Sequence, residues 1–317
     1  MSVETQTTAN PNPFASRNPA LDRRRKLADK SSVVLVALAF AFAIIPLVSL
    51  LWIVVENGWG RLSPYFLTVS MNGVYGGMDA GGIYHAIIGT LLVTGWATLI
   101  SVPIGLATAI YLVEYAGNSK LARATTFFVD VMTGIPSIVA GLFAAALFGL
   151  LVSPAYRAGI MGAVALSVLM IPTVVRSSEE MLRLVPNELR EASYALGVPK
   201  WLTIVKVVLR TSAAGLTTAV MLAIARVVGE TAPLLMTVGV IDSINFDVFE
   251  GRLMTLPVYV YRQYSQGLAP CGALENCVET INYDRAWAAA LVLILLVMLF
   301  NLIARIVAHY FAPKGRS

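Results

Sequence analysis

Arg226 and Glu230 are the two residues whose types and spacing most invite chemistry, four positions apart in the largely apolar run Ala213 to Val240. On a continuous helix that spacing puts both side chains on one face, with Arg before Glu in the weaker of the two orientations. A charge near the centre of a membrane span costs about 2.5 to 3.5 kcal/mol on insertion scales, so it calls for a partner or a task. Two readings follow. One is an internal ion pair that pins helix packing. The other is a guanidinium that offers donors to a crossing oxyanion, with the carboxylate holding the Arg in place or governing release. Pro233 leaves the carbonyl of Gly229 without its helical donor, next to the pair. Asp130 and Arg176 rank lower as pathway residues, because they lie near a cytoplasmic boundary where snorkelling accounts for them.

No residue set points to catalysis or to a bound metal. The chain has two His and two Cys, no metal-ligand cluster and no Walker A loop, so hydrolysis of ATP is not expected of it, and neither is a cofactor of its own. With 57% hydrophobic and 13% charged residues and a mean hydropathy of +0.75, it has about half the ~25% charge content of a soluble domain. The composition is that of an all-α integral membrane protein.

Residues 1–32 are rich in polar residues and end in a basic run, Arg23 to Lys26, and are expected to form a disordered tail. The apolar run 33–55 is too long for a signal-peptide core and has no small-residue cleavage site, so it reads as an uncleaved first span. Five further spans are expected at Tyr84–Val113, Thr125–Val152, Gly159–Val175, Ala213–Val240 and Ala286–Ala308. Pro103, Pro136, Pro172 and Pro233 bend or interrupt four of them. Most of the 23 Lys and Arg fall on one set of flanks, which places both termini and the loop 177–212 in the cytoplasm. The opposite loop, 241–285, holds Cys271 and Cys277. Five intervening residues allow a small disulfide ring in an oxidising compartment, and two free thiols are the alternative.

The cytoplasmic loop is the longest polar interruption in this half of the chain. Ser177 and Glu180 fit a capping box that would start a helix where the fourth span ends. Pro186 suits the first position of a second, short helix, which Gly197 and Pro199 stop after Leu196. On that helix Leu189, Ala192 and Leu196 form one narrow apolar stripe. Two or three turns are not stable alone in water, so the stripe needs a partner, either the bundle itself or a groove on another protein.

Glu191-Ala192-Ser193, followed after three residues by Gly197 and then by Val207-Val208-Leu209, resembles the EAA loop of bacterial ABC importer permeases. The third position is Ser rather than Ala, and Arg210 stands where that pattern has Pro. The resemblance implies a type I importer permease fold, with six transmembrane helices in the chain and the importer domain over 84–308. It also implies a coupling role for Glu191, Ala192, Ser193 and Gly197 in a cleft of a separate ATPase. Three longer strings, Thr133 to Leu142, Met181 to Gly197 and Ala225 to Pro233, are similar to the PstA family of phosphate importer permeases. That similarity implies a bacterial inner-membrane protein with Arg226 and Glu230 on the phosphate path. Its implied partners are a homologous permease (PstC), an ATPase dimer (PstB) that binds ATP and Mg, and an extracytoplasmic phosphate-binding protein (PstS). Three other readings stay open: a permease for another oxyanion such as molybdate or sulfate, an ion-coupled secondary carrier, and a signalling subunit.

Overall fold

The computed structural model describes residues 19–272 and 276–311, and all regular elements among them are helical. The chain divides into two compact units, 1–53 and 54–317.

The first unit holds most of α1 (Pro19–Trp59), which contains the expected first span. Its apolar side chains, Val33 and Phe42 among them, are exposed, as a lipid-facing helix requires. The expected disorder over 1–32 is corrected for residues 19–32, which are helical, while 1–18 lie outside the described residues. Leu, Arg, Lys and Ala are good helix formers, and a helix once nucleated in the apolar run extends back through them at little cost.

In the second unit, α2 (Pro64–Thr68) starts at Ser63, whose hydroxyl accepts from the Phe66 N–H at 3.2 Å. Next comes α3 (Tyr84–Ile110), which runs on into a π-helical turn, Tyr111–Tyr115. Ser119 caps α4 (Lys120–Thr133), and α5 (Ser137–Leu151) leaves it at 107°. The span expected over Thr125–Val152, with its interruption at Pro136, is thus two helices. Gly134 ends α4, and Pro136 drives Ile135 away from helical geometry. α6 (Gly159–Arg183) passes through Pro172 without ending.

The helix start expected at Ser177 is corrected as well, because α6 continues to Arg183. Nothing between Val175 and Arg183 breaks it, and Glu179 pairs with Arg176 and Arg183 along the same helix. The chain then forms α7 (Asn187–Ala195), α8 (Lys200–Thr203), a second π-helical turn at Ile204–Val208, α9 (Leu209–Val228) and α10 (Ala232–Thr237). The expected span Ala213–Val240 is thus broken after Val228. Finally come α11 (Leu256–Gln266) and α12 (Ile281–Phe311). Among the described residues, five helices are long and apolar enough to cross a membrane, or six if the bent α4–α5 pair counts as one span.

The core lies where α3, α6 and α9 meet, with Val93, Ala97, Leu166, Met170, Ala223 and Val227 buried. Small residues let these helices approach closely, the usual means of helix association where lipid removes the hydrophobic drive. Gly141 of α5 makes the same kind of contact with α10: a Cβ there would lie 2.7 Å from the Pro233 Cα. A second cluster, Ala109, Leu182, Val185, Val208 and Leu216, closes the end of the bundle where α3 and α6 stop and α9 starts.

Candidate functional site

The short helix α7 starts from Pro186, which is the extended cap rather than the first helical residue expected of it. It ends in a left-handed Gly197 at φ +75°. The Gly197 N–H donates to the Tyr194 carbonyl at 2.9 Å and the Val198 N–H to the Ser193 carbonyl at 3.2 Å, the paired bonds of a Schellman stop. Of its residues only Ser193 is buried, with its Oγ 2.8 Å from the Thr203 Oγ1 of α8. Leu189, Ala192 and Leu196 are all exposed, Leu196 to 83%, and so is Glu191. The apolar stripe is therefore not covered by the chain's own bundle.

Arg190 anchors this helix from its other side. Its Nε and Nη2 reach the same Glu114 carboxylate oxygen at 3.1 and 2.8 Å. Its Nη1 and Nη2 also donate to the carbonyls of Val185 and Leu182 at 2.6 and 3.1 Å, where α6 has just ended. Glu114 belongs to the π turn after α3, and Lys200 of α8 sits 4.9 Å above the ring of Tyr115 in the same turn. Three bundle elements, the π turn after α3, the end of α6 and α8, thus converge on one short helix with an exposed apolar face. Neither Arg190 nor Glu114 stands out in the sequence, since 76 residues separate them.

Arg226 lies in the last turn of α9 and is exposed, and Glu230 is half-buried beyond the helix end. Gly229 caps α9, and the Glu230 N–H bonds the Val227 carbonyl at 3.2 Å instead of continuing the helix. The shared face expected of an i, i+4 pair is therefore lost, and among the described residues no ion pair joins the two. What remains is an exposed guanidinium at a break in a span, without an ion-pair partner among the described residues.

Asp130 and Arg176, expected to be separate snorkelling charges, are brought together. Arg176 bonds the Asp130 carboxylate and also reaches Glu179 at 2.9 Å, and Glu179 accepts from Arg183 at 2.7 Å. The network ties α4 to α6 and leaves these charges neutralised. At the other end of the bundle, Cys271 and Cys277 form a disulfide with Cα atoms 5.5 Å apart. The Val278 N–H bonds Gly77 there and so fastens the ring to the loop before α3. Arg285, which charge counting treats as an ordinary loop residue, is fully buried.

Residues 101–317 match the family model of the binding-protein-dependent transport system inner membrane component. Phosphate transport system permease protein PstA 1 of Mycobacterium tuberculosis is 45% identical over 299 residues, 93% of this chain and 93% of its own length. The Pasteurella multocida protein named PstA is 38% identical over 92% of this chain and 97% of its own. Among solved structures, a bacterial alginate ABC transporter chain covers 93% of this chain with a TM-score of 0.59 at 13% identity. A chain of the inward-facing MetNI methionine ABC transporter covers 73% with a TM-score of 0.54 at 20% identity. At those identities the structures speak for the fold alone, which is that of ABC importer permeases. This chain, with its membrane-spanning helices and its EAA-type helix, belongs to the binding-protein-dependent transport system inner membrane components and, within them, to the PstA phosphate transport permeases.

Proposed function

We propose that this chain forms part of the path for inorganic phosphate across the bacterial inner membrane and is driven by a separate ATPase docked on α7. The observation that carries the coupling half is the exposed apolar stripe of α7, held on its opposite side by Arg190 and Ser193. The substrate half is supported by relatives named as phosphate permeases and by the exposed Arg226, which has no ion-pair partner among the described residues.

In this reading the ATPase dimer, with its ATP and Mg, closes and moves α7. Arg190 passes the motion to the end of α3 and the foot of α6, and Ser193 passes it to α8. From α8 the chain runs through the π turn and along α9, whose 20 residues span about 30 Å, to Arg226. A displacement at the foot is thus carried by one helical arm to the guanidinium. Arg226 gives the oxyanion charge-assisted hydrogen bonds, and the helix break beside it leaves room for Glu230 to approach or withdraw. The second permease and the extracytoplasmic binding protein complete the assembly.

Affinity purification of the full chain from membranes, followed by reconstitution, tests the proposal. A co-eluting ATPase and second permease, with phosphate uptake that stops when ATP is depleted, are expected. Uptake that follows a proton gradient and ignores ATP would overturn it in favour of a secondary carrier.

A further inference from the structure

At the end of the bundle away from α7, a cavity of about 390 Å³ opens between α11, the first turns of α12 and the loop before α3. The 27 residues of α3, about 40 Å, separate it from the π turn that holds Glu114. Its polar lining follows from helical spacing. Arg262 and Gln266 stand at i and i+4 on α11, beside Gln263, and Asn282 and Arg285 stand at i and i+3 on α12. The one carboxylate in the lining, Asp242, is bonded to Arg262 at 2.7 Å.

Two of these side chains are buried with capacity to spare. Arg285 is 1% exposed. Its Nη2 holds the carbonyls of Met78 and Ala80 at 2.7 and 2.8 Å, while its Nε has no partner among the described residues. Gln263 is 3% exposed and its Oε1 is likewise without a partner. A buried polar atom left unsatisfied costs about 1 to 3 kcal/mol, so its retention points to something that satisfies it. The charge balance of the lining is two guanidiniums against one carboxylate, and the amides add neutral donors and acceptors. Behind it lies Tyr259, whose phenol burial raises above its ordinary pKa so that it stays neutral.

We infer that this cavity is a second oxyanion site, for a phosphate group that Arg262 and Arg285 neutralise and that the amides of Gln263, Gln266 and Asn282 orient. An amide oxygen such as Gln263 Oε1 suits a protonated phosphate oxygen, which donates where a fully ionised one cannot. The inference rests on the permease reading and deepens it, because an anion held here waits on the far side of the bundle from the ATPase helix. The phosphate group is either free phosphate or the headgroup of a phospholipid.

The test uses the full-length chain in nanodiscs with Arg226→Gln, which removes the proposed pathway donor, and radiolabelled inorganic phosphate as the probe. Saturable binding is expected to survive Arg226→Gln in phosphatidylcholine discs. It is expected to weaken about tenfold or more when Gln263→Leu or Arg262→Gln is added. Arg285→Gln is not relied on, since that side chain also holds two loop carbonyls. Native mass spectrometry of chain from phosphatidylglycerol discs forms the second arm. A retained lipid lost in the same two variants, without free-phosphate binding, supports the site and assigns it to a headgroup. Binding of neither probe, or binding that both variants leave unchanged, overturns the inference. If ATP-driven phosphate uptake by the assembled importer persists in that case, only the cavity is wrong; if uptake itself is absent, the permease reading has failed.

Discussion

Arg190 of α7 grips Glu114 at the end of α3 through two guanidinium nitrogens, at 2.8 and 3.1 Å, with both side chains largely buried. A helix of nine residues is too short to hold its own shape, so this contact fixes where α7 sits. Removing one partner leaves a buried charge without its counter-ion. Glu114→Gln or Arg190→Ala is expected to destabilise the chain by about 3 kcal/mol. It should also raise the ATP hydrolysed per phosphate moved. Thermal melting together with a transport-coupled ATPase assay checks this, and a double-mutant cycle isolates the pair. Additive effects of the two single changes would separate α7 from α3.

The exposed stripe predicts the opposite combination. Leu196 is 83% exposed, so Leu196→Asp should change stability by about 0.5 kcal/mol or less. Retention of the ATPase on affinity purification should nevertheless fall sharply, as it should for Glu191→Lys. Unchanged co-purification of the ATPase in both variants would refute α7 as its docking element.

Two glycines of α5 make a matched test of the packing behind the helix break. At Gly141 a Cβ would lie 2.7 Å from the Pro233 Cα, whereas at Gly149 the nearest atom is 3.8 Å away. Gly141→Ala should cost about 1 to 3 kcal/mol through overpacking. Gly149→Ala should be neutral or stabilising by up to about 1 kcal/mol through helix propensity. Melting temperatures of the two purified variants decide the matter, and equal shifts would contradict the α5–α10 contact.

The Cys271–Cys277 ring closes a short loop, so the Cys271→Ser, Cys277→Ser double variant should lose about 2 kcal/mol. Unreduced protein treated with an alkylating reagent should gain no mass at either residue. Two alkylated thiols would remove the bond from the account.

Much of this arrangement was legible in single windows of sequence. Apolar runs located the spans, and Gly197 with Pro199 marked the end of α7, because a left-handed stop and a helix breaker act within a few residues. Pro233 marked an interruption of the fifth span, but the run alone did not show that α9 stops at Gly229 and that Glu230 leaves the helix. Of the two readings of Arg226 and Glu230, the internal ion pair fails for that reason. Ser177 misled in the opposite sense: a capping pattern also occurs inside a helix, and here the ion pairs of Glu179 carry α6 through it. The partnerships of Arg190 with Glu114 and of Arg176 with Asp130 join distant segments, and local spacing holds no trace of them. Arg285 reads as a loop charge until the carbonyls of Met78 and Ala80 are seen to enclose it.

The central claim is that Arg226 handles the transported anion, and ATP-driven phosphate uptake by the assembled importer in proteoliposomes tests it most directly. With Arg226→Gln, uptake should fall about tenfold or more while the ATPase and second permease still co-purify and the melting temperature holds. Near wild-type phosphate uptake by the intact Arg226→Gln assembly would contradict it.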